Sequence, residues 1–587
     1  MSEKKKVSLV IDGVRTEAAP GTTVMEAADA IGVRIPRLCY HPRLSTLGAC
    51  RVCIVEVEGV RNPVASCSYP VAEGMTVRTS SPTLRRLRRD IVELLLDNHP
   101  QTCQTCERDA NCELQNLAYS QGVRERLFEG DRKHFEIDRS SRSVTRDADK
   151  CILCGRCVRV CEEVQGVTNL GQQRRGFMTV VAPAHEGSMM ESVCIHCGQC
   201  VNVCPTAALI EHGNTEEVLA ALDNPDLHVV VQTAPSIRAA VGEGFGYPPG
   251  TPVTGKMVTA LRMMGFKKVF DTNIGADLTI MEESAEFLSR LRKGEKLPLI
   301  TSCSPGWVTF MERFYPELIP NASTCKSPMS MLSSLIKSYY AEKAGVDPKN
   351  IYVVAIMPCT AKKFEAKRPE LLTPWHSHAT DAVLTTRELI WLAKCLGVDF
   401  RNLPDGQFDS PLGASSGAAD IFGATGGVME AALRTAYETI TCEQCPGLDF
   451  MQVRGVTGVK EAILNMKGSK VSIAVANGLR NAKTVLDRVI SGEKTYHLIE
   501  IMACPGGCVA GGGQPYPPEG MYVLDPELAR IRARALYSID ASKGLRKSHE
   551  NPDITRLYRE FLGEVNGHKA HELLHTTYRA REPRGVR

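Results

Sequence analysis

Two short runs of cysteine in this sequence share one spacing, C-x2-C-x2-C-x3-C. The residues are Cys151, Cys154, Cys157 and Cys161 in the first run, and Cys194, Cys197, Cys200 and Cys204 in the second. Thiolates at this spacing hold [4Fe–4S] clusters in pairs, and the fourth cysteine of each run serves the other cluster. The spacing therefore predicts two clusters, one on Cys151, Cys154, Cys157 and Cys204 and the other on Cys194, Cys197, Cys200 and Cys161.

A more widely spaced set of four cysteines lies nearer the start of the chain. Its members are Cys39, Cys50, Cys53 and Cys67. A long loop that delivers three thiolates, with a fourth returning later, is how plant-type ferredoxins hold a [2Fe–2S] cluster. The first gap is ten residues here rather than that family's usual four, so we expect an enlarged loop. Gly48 would let the backbone approach the cluster closely.

A third kind of ligand set follows, and it contains one histidine. Its members are His99, Cys103, Cys106 and Cys112. Zinc is a serious alternative, because one histidine and three cysteines form a common structural zinc site. The neighbouring cysteine groups favour a [4Fe–4S] cluster with one histidine ligand, whose potential the histidine would alter. We expect four clusters in a row along the first 212 residues.

Composition narrows the class of protein. The chain has 587 residues, 23 cysteines and a formal net charge of +3, which offers no case for a nucleic-acid partner. No stretch approaches the roughly 18–20 unbroken apolar residues that cross a membrane, and the N-terminus lacks the apolar core of a signal peptide. We expect a cytoplasmic protein whose grouped thiols bind metal rather than form disulfides.

The elements beyond residue 212 alternate between strands and helices. Apolar runs at 228–234, 267–272, 298–302, 351–356, 471–476 and 496–502 predict strands, with amphipathic helices between them, which is the pattern of a largely parallel α/β sheet. Three of these runs lead into turns that carry Cys303, Cys359, and Cys504 with Cys508. Sites form at the carboxyl ends of parallel strands, so we expect one shared metal site.

Three sequence motifs resemble the signatures of the iron-only, or [FeFe], hydrogenases. They are TSCSPGW at 301–307, MPCTAKKFE at 357–365 and EIMACPGGCVAGGGQP at 500–515. The resemblance covers nearly the whole chain, and the four-cluster N-terminal part is similar to the longer members of the family. It implies a reversible reaction that forms hydrogen from two protons and two electrons.

The resemblance also implies the cofactor and its ligands. This H-cluster is a [4Fe–4S] unit joined to a two-iron centre that carries CO, cyanide and a dithiolate. By matching motif positions, Cys359, Cys504 and Cys508 would be ligands, with Cys508 as the bridge. Lys362 and the backbone near Pro235 and Ser236 would hydrogen-bond the cyanides, and Met357 and Met502 would pack against the two-iron centre. FGATGG at 422–427 would form another wall of the site.

A proton route follows from the same matching. The family's relay falls on Cys303, Glu283, Ser323, Glu286 and Arg290. The three charged residues among them have helical spacing, so they can share one face. Without the resemblance, a charged solvent-facing helix would be the simpler interpretation. Each carrier must lie within hydrogen-bond reach of the next, directly or through one water.

The first motif departs from the family at one position. Family members carry adjacent cysteines there, the first relaying protons and the second ligating the cluster, whereas this chain has Cys303 followed by Ser304. Serine oxygen is a harder ligand than thiolate and suits such clusters less well. Two alternatives stay open: Ser304 ligates weakly, or Cys303 becomes the ligand and the relay changes.

The sequence predicts a multidomain protein of the α+β and α/β classes. The expected order is a β-grasp [2Fe–2S] ferredoxin-like domain at 1–80, a [4Fe–4S] domain with one histidine and three cysteine ligands at 81–140, a bacterial two-cluster ferredoxin-like domain at 141–212 and an H-cluster catalytic domain at 213–587. The pair Cys442 and Cys445 is interpreted as free thiols, with an extra metal or redox site as the alternative.

The expected partners are flavin- and NAD(P)-binding subunits and a small iron–sulfur subunit of a hydrogenase complex, or ferredoxin, together with the proteins that mature the H-cluster. A convincing G-x-G-x-x-G fingerprint is absent from the sequence, so nicotinamide chemistry belongs to another subunit. Two alternatives to an enzyme remain at this point. One is a non-catalytic electron-transfer subunit like that of complex I, and the other is a hydrogen sensor.

Overall fold

The computed structural model describes residues 6–125, 128, 130–412, 414–466 and 469–582. Its first domain is a twisted sheet beside one helix. The elements are β1 (Val7–Ile11), β2 (Val14–Ala18), α1 (Val24–Ala30), β3 (Ile54–Val57), β4 (Val64–Ala65) and β5 (Met75–Arg78). The strand order is β2-β1-β5-β3-β4, with β1 and β5 parallel. Thr23 and Glu26 form a capping box at the start of α1, and this box fixes where the chain turns from strand to helix.

Helices connect this sheet to the next cysteine groups. They are α2 (Pro82–Asp97) and α3 (Glu113–Ser120). A small domain of paired strands and short helices follows, with β6 (Val144–Arg146), α4 (Arg156–Arg159), β7 (Gly171–Gln173), β8 (Val180–Ala182), α5 (Gln199–Val203) and β9 (Leu209–Glu211). Strand β6 pairs with β9, and β7 pairs with β8, both antiparallel. Each run of cysteines therefore leads into one of the short helices α4 and α5.

The remaining strands of the described residues form two four-stranded sheets. They are β10 (His228–Thr233), β11 (Lys268–Asp271), β12 (Leu299–Ile300), β13 (Ile351–Ile356), β14 (Ala382–Leu384), β15 (Val459–Met466), β16 (Ser469–Asn477) and β17 (Leu498–Met502). The first sheet has the order β11-β10-β13-β14 and is parallel throughout. The second has the order β12-β17-β16-β15, in which β15 is antiparallel to β16.

Helices cover both sheets. They are α6 (Thr215–Leu222), α7 (Thr254–Met263), α8 (Asn273–Lys293), α9 (Pro305–Phe314), α10 (Pro328–Leu335), α11 (Ala341–Ala344), α12 (Ala361–Glu365), α13 (Thr386–Cys395), α14 (Gly417–Asp420), α15 (Gly427–Thr441), α16 (Leu479–Ile490), α17 (Pro526–Ser542), α18 (Pro552–Leu557) and α19 (His568–Leu574). Helix α8 is almost fully buried along its first three turns, so it is a central element between the sheets.

All six strands expected from apolar runs are present, and the expected largely parallel pairing is found, since five of the six described strand pairs in the two sheets are parallel. The described strands divide into two sheets, and the second is mixed because the hairpin of β15 and β16 forms one edge. Strands β14 and β15 were not predicted. Strand β14 is only three residues long, and β15 has mostly half-buried and exposed residues, so neither forms the continuous apolar run that signals a buried strand.

Candidate functional site

A cavity lies where the carboxyl ends of the two sheets meet. Its walls include all the residues that the three motifs and the strand ends were predicted to supply. They are Pro235, Ser236, Cys303, Ser304, Met357, Cys359, Lys362, Met502, Cys504 and Cys508. Strands β10 and β13 lead to it from the first sheet, and β12 and β17 lead to it from the second. The site therefore lies between the sheets rather than at the edge of one.

The cysteines in this cavity lie close together and away from water. The pKa of Cys504 is raised by burial and then by the charges of Cys359 and Cys508. Burial likewise raises the pKa of Cys508 to about 12. Thiolates so poorly solvated require a cation beside them, and a metal centre supplies one. The donor set therefore fits an iron–sulfur cofactor.

Glycines allow the backbone to pack tightly around these thiols. Gly507 has a φ of +94°, and a Cβ atom there would lie 2.7 Å from the amide nitrogen of Thr425. A Cβ atom on Gly511 would lie 2.3 Å from the carbonyl oxygen of Pro358. Phe422 and Gly423 line the cavity too, as expected for the 422–427 segment. The glycine-rich loops thus serve close packing around Cys508.

Two polar side chains, Ser236 and Lys362, lie on the cavity wall. The Ser236 hydroxyl is fully buried and lacks a hydrogen-bond partner within the described residues. Lys362 Nζ lies 2.7 Å from Glu365 Oε2 and 3.3 Å from the carbonyl oxygen of Cys303. A buried polar group without a partner carries a large free-energy cost, so Ser236 fits a bound ligand with acceptor or donor atoms.

Cys303 and Ser304 both line the cavity but have different neighbours. The charge of Glu283 is, after burial, the largest influence that raises the pKa of Cys303. Ser304 Oγ instead accepts a hydrogen bond from the Ala503 amide at 3.2 Å. Ser304 therefore lies on the Cys504 side of the cavity, and Cys303 lies on the side of the acidic residues.

The predicted proton carriers form a line away from Cys303. Glu283 is 3% exposed, and Ser323 hydrogen-bonds it. The same hydroxyl donates to Glu286 Oε2 at 3.2 Å, and Arg290 Nη2 donates to Glu286 Oε1 at 2.5 Å. Burial raises the pKa of Glu283 to about 8. A carboxyl group with that pKa can both give and take a proton near neutral pH.

The two cysteine runs are related by a local pseudo-symmetry. In the first, the Leu153 amide donates to Cys151 Sγ at 3.4 Å, and in the second the His196 amide donates to Cys194 Sγ at 3.4 Å. Both donors have positive φ, +53° and +62°. This conformation turns the amide N–H groups toward the sulfur atoms, where they can stabilise thiolate charge.

The grouping of the eight cysteines follows the predicted exchange of fourth residues. A cavity of about 460 Å³ is lined by Cys151, Cys154, Cys157 and Cys204. In the other group, burial raises the pKa of Cys200, and the charges of Cys194 and Cys161 raise it further. Cys197 of this second group also lines the large cavity described above. The second group is therefore adjacent to the motif cysteines.

A glutamine that the sequence analysis missed joins these two centres. Gln199 Nε2 lies 3.2 Å from Cys504 Sγ and 3.2 Å from the carbonyl oxygen of Ala510. Gln199 is fully buried. Its position inside the second cysteine run could have signalled a role, but spacing alone does not distinguish it from the arginine at the same position of the first run.

The first cysteine group is formed by one long loop and a later strand end. The Cys39 amide donates to Cys50 Sγ, and the Cys50 amide donates to Cys39 Sγ, both at 3.5 Å. Cys67 hydrogen-bonds Cys53, and the charges of Cys39 and Cys50 also raise the pKa of Cys67. The four predicted ligands are thus brought together by the β-grasp domain.

The histidine-containing group lines a cavity of its own. His99, Cys103, Cys106 and Cys112 all belong to the wall of this cavity, which has a volume of about 310 Å³. His99 Nδ1 is buried without a hydrogen-bond partner in the part of the chain that the structure describes. Burial, followed by the charge of Lys150, lowers the pKa of His99 to about 4. A neutral imidazole with a free nitrogen suits metal ligation.

The four groups do not follow one another in a simple row. Arg159 of the third group donates to the carbonyl oxygen of Cys39 at 2.6 Å, so the first group touches the third. The Glu113 amide, next to Cys112 of the second group, donates to the Pro205 carbonyl oxygen at 3.0 Å. The first and second groups therefore both adjoin the third, so the predicted series of clusters is branched.

The Cys442 and Cys445 thiols lie apart from these centres. Cys442 is exposed at the end of α15, and Cys445 Sγ lies 3.1 Å from the carbonyl oxygen of Gly447. Nearby Glu438 and Glu550 each pair with Lys547. The interpretation as free thiols stays a prediction.

Within the described residues, no helix combines the length and apolar character needed to span a bilayer.

Comparison with protein families gives five consecutive matches. Residues 4–82 match a 2Fe-2S iron–sulfur cluster binding domain, 88–126 the iron–sulfur binding region of NADH-ubiquinone oxidoreductase-G, and 150–208 a 4Fe-4S dicluster domain. Residues 227–512 match the C-terminal domain of the iron-only hydrogenase large subunit, and 526–581 match the iron hydrogenase small subunit. The matched segments contain all four N-terminal ligand groups and the central cavity.

The likeness to one relative extends over the full chain. The NADP-reducing hydrogenase subunit HndD of Solidesulfovibrio fructosivorans is 49% identical over 589 residues, which cover 98% of this chain and 99% of the relative. This chain belongs to the iron-only hydrogenase family. Iron hydrogenase 1 of Clostridium pasteurianum, a second member, is 40% identical and covers 97% of this chain and 100% of its own length.

A solved structure of the family shares the catalytic fold. The apo [FeFe]-hydrogenase HydA1 from Chlamydomonas reinhardtii, in a variant with one cysteine replaced by histidine, superposes with a TM-score of 0.57 at 44% identity. It covers 63% of this chain, and all of that protein is matched. The expected fold class is confirmed: ferredoxin-like domains precede an [FeFe]-hydrogenase catalytic domain. The domain boundaries at 80, 140 and 212 stay predictions.

Proposed function

We propose that this chain catalyses the reversible formation of hydrogen from protons and electrons at an H-cluster in the central cavity. The observation that carries the proposal is the convergence of three motif turns, from two different sheets, on one buried cavity with thiols on its walls. Family membership supports the reaction. A non-catalytic complex I-like subunit would have no use for this cavity and for the acidic relay beside it.

The residues that would hold the cofactor are those on the cavity wall. Cys359, Cys504 and Cys508 would ligate the [4Fe–4S] unit, and Cys508 would also bridge to the two-iron centre. Ser236 and Lys362 would hydrogen-bond its cyanides, and Met357 and Met502 would pack against it. When bound, this group supplies the electron storage and the iron site at which hydrogen is split or made.

The chain's own acid and thiol groups would move the protons. Cys303 would exchange a proton with Glu283, which is protonated at neutral pH and buried from bulk water. Ser323 would pass it on to Glu286, because its hydroxyl can accept a hydrogen bond from one carboxyl group while it donates to the other.

The N-terminal domains would conduct the electrons. We propose one [2Fe–2S] cluster on Cys39, Cys50, Cys53 and Cys67. We propose three [4Fe–4S] clusters, one on the histidine-containing group and one on each of the two groups that the paired cysteine runs form. The contact of Gln199 with Cys504 supports direct passage from the last of these clusters to the H-cluster. Since two groups adjoin the third, electrons could enter or leave at either branch.

Partner subunits would connect this chain to a soluble electron carrier. HndD carries the name of a NADP-reducing hydrogenase subunit, and we propose an NAD(P)- and flavin-binding partner and a small iron–sulfur subunit for this chain on that likeness. Ferredoxin is the alternative carrier. Dedicated maturation proteins would supply the two-iron centre.

The decisive experiment is expression with H-cluster maturation proteins under anaerobic conditions. We expect hydrogen evolution with reduced viologen and infrared bands of CO and cyanide on the isolated protein. A Cys508→Ser variant should lose those bands while it keeps the N-terminal cluster signals. A matured wild-type protein without both the bands and the turnover would refute the function.

A second comparison separates the two alternatives for the fourth ligand. We propose that Ser304 occupies the ligand position and that Cys303 is the relay, because Cys303 faces Glu283. Ser304→Cys should then raise the iron retained in the catalytic domain without loss of turnover. Cys303→Ser should lower turnover but leave the iron content unchanged. Loss of iron in Cys303→Ser would show that Cys303 is the ligand instead.

A further inference from the structure

Glu286 has two hydroxyl partners on the same carboxylate oxygen. Ser323 Oγ donates to Glu286 Oε2 at 3.2 Å, and Thr324 Oγ1 donates to it at 3.2 Å as well. The Thr324 amide adds a third donor at 3.1 Å. Ser323 leads inward to Glu283, whereas Thr324 faces the opposite way. Glu286 is therefore a branch point rather than the last carrier before Arg290.

Thr324 is hydrogen-bonded to a histidine near the end of the chain. Thr324 Oγ1 lies 2.8 Å from His575 Nδ1. The ring of His575 lies against that of His571, with 4.1 Å between the centroids. His575 is buried, at 8% exposure, and His571 is exposed on helix α19. Hydrogen bonds thus connect Glu286 to His575, and a ring contact connects His575 to the exposed His571.

Arg290 is poorly suited to be the outer carrier. A guanidinium group does not release its proton in proteins. Its Nη1 donates to the carbonyl oxygens of Lys296 at 3.2 Å and Asn321 at 2.9 Å, and its Nη2 donates to the carbonyl oxygen of Ala322 at 2.8 Å as well as to Glu286. These bonds hold Glu286 in place. Arg290 is therefore a positioning residue rather than a proton carrier.

Glu282 fixes the orientation of the His575 ring. The buried Glu282 carboxylate accepts hydrogen bonds from Tyr558 Oη, from the Asn566 amide at 2.8 Å and from His575 Nε2 at 3.1 Å. Three donors around one carboxylate suit its ionised form. His575 Nε2 then carries a proton, and Nδ1 is left to exchange its own with Thr324. The titratable groups beside His575 are Glu282, which binds its Nε2, the neighbouring Glu286 and Cys325, and His571, whose ring lies against it.

We propose that His575 and His571 form the solvent end of the proton relay, connected to Glu286 through Thr324. This inference rests on the proposed function. In the inward direction, the Nδ1 proton of a doubly protonated His575 moves to Thr324 Oγ1 as the hydroxyl proton moves to Glu286 Oε2. The neutral imidazole keeps its Nε2 proton against Glu282. Solvent that reaches the ring beside the exposed His571 then returns a proton to Nδ1, so the imidazolium is restored and one proton is carried in.

Both histidines belong to the segment that matches the iron hydrogenase small subunit. This segment packs on the catalytic domain through α19, where Lys326 donates to the Leu573 carbonyl oxygen at 2.8 Å and the Thr576 amide donates to the Thr324 carbonyl oxygen at 2.8 Å. The C-terminal segment would thereby contribute carriers to the relay, in addition to covering the catalytic core.

The test compares three variants in the matured full-length protein. Thr324→Val keeps the shape but removes the hydroxyl, and His575→Gln and His571→Gln remove the titrating rings. Each should lower hydrogen turnover at neutral pH by at least about tenfold, the lower part of the range for loss of a proton-transfer group. Infrared bands of CO and cyanide, measured on the same samples, report whether the H-cluster is still loaded.

Chemical rescue separates proton transfer from a structural effect. Added imidazole should restore turnover in His575→Ala and His571→Ala, and it should have no effect in Thr324→Val. The matched control is His568→Gln, because His568 is exposed on the same helix but outside the relay, and it should keep full turnover at neutral pH.

Each result bears on a different claim. Full turnover in Thr324→Val and in both histidine variants, with the CO and cyanide bands intact, would overturn this relay. Histidine variants that are slow but are not rescued by imidazole would overturn it too. Either result would leave the proposed function standing. If His575→Gln fails to fold, the exposed His571 variants decide the question alone. A matured wild-type protein without turnover would overturn the proposed function and the relay together.

Discussion

Glu283 is a carboxyl group held almost entirely away from water, between a thiol and a serine. Replacing it with glutamine keeps the size and the hydrogen bond but removes the exchangeable acidic proton. We expect Glu283→Gln to lower hydrogen turnover by roughly 10²- to 10⁴-fold, the usual range for a positioned acid or base. The measurement is viologen-coupled hydrogen evolution, with the CO and cyanide bands as a check of loading.

The control for this variant is Glu295→Gln, since Glu295 is exposed just beyond the same helix. It should have wild-type turnover. A Glu283→Gln enzyme as fast as the control would show that protons bypass Glu283.

Lys326 is a buried cation whose ammonium group donates to the Leu573 carbonyl oxygen. Burial lowers its pKa from the usual 10.5 to about 8. Between these values the unfolded chain binds the proton more readily than the folded chain, so the free energy of unfolding rises with pH across that window. Below pH 8 the full cost of burying the charge is present.

Lys326→Met removes the charge, so its free energy of unfolding should lose that pH dependence. Relative to wild type, we expect the variant to be most favoured below pH 8, and the advantage should disappear as pH rises through 10.5. Denaturant unfolding at a series of pH values measures the difference. Lys349→Met, at an exposed position, should show no such trend. A constant difference across the series would contradict the burial argument.

The short turn at Pro235–Ala239, which follows β10, depends on one buried arginine. Arg238 is 2% exposed, and its guanidinium joins Asp271 at the end of β11, 2.7 Å away, to Asp420 in α14, 3.0 Å away. The same turn presents Ser236 to the central cavity. A single side chain therefore ties a strand, a helix and the cavity wall together.

Arg238→Met leaves the buried Asp271 carboxylate without its ion-pair partner and leaves Asp420 with Lys543 alone. We expect a loss of about 3–5 kcal/mol in the free energy of unfolding, as for other broken buried ion pairs. Arg262→Met is the matched comparison, because Arg262 pairs with Asp409 at 3.0 Å while 39% of its side chain is exposed. That change should cost no more than about 1 kcal/mol. Equal losses in the two variants would argue against the role of burial.

At the scale of the whole molecule, electron flow depends on how the ferredoxin-like domain joins the catalytic domain. Gly198 lies at this junction, with a φ of +71°, and a Cβ atom there would lie 2.4 Å from Thr360 Oγ1 and 3.2 Å from the Gly512 Cα. Thr360 also donates to the His196 carbonyl oxygen at 2.8 Å. Arg387 adds a bridge from Glu211 to the Gly512 carbonyl oxygen.

Gly155 provides a natural comparison, since it occupies the same position in the first cysteine run. Its φ is +66°, but its Cβ atom would meet only the tip of the Leu47 side chain. Both alanine variants carry the same backbone strain, so their difference isolates the junction. We expect Gly198→Ala to slow reduction of the N-terminal clusters by hydrogen much more than Gly155→Ala does. Stopped-flow absorbance measures this, and equal rates would contradict it.

Much of the site could be predicted from local patterns. Cysteine spacing identified the four N-terminal groups that the structure brings together, and the apolar runs predicted the six strands whose ends surround the cavity. Both signals are local, because ligand spacing within one loop and the continuous apolar run of a buried strand depend on neighbouring residues. The three catalytic motifs were recognised by resemblance, and their roles at individual residues stay proposals.

Only the tertiary structure decided how distant segments meet. It divided the strands into two sheets, placed the cavity between them, brought the first two cysteine groups to the third, and set His575 beside Thr324. These contacts join residues up to hundreds of positions apart, and they depend on the packing of complementary buried surfaces rather than on any repeating pattern in the chain. Sequence periodicity carries no record of such pairings, so the branched arrangement of the cysteine groups and the contact between Thr324 and His575 were visible only in the fold.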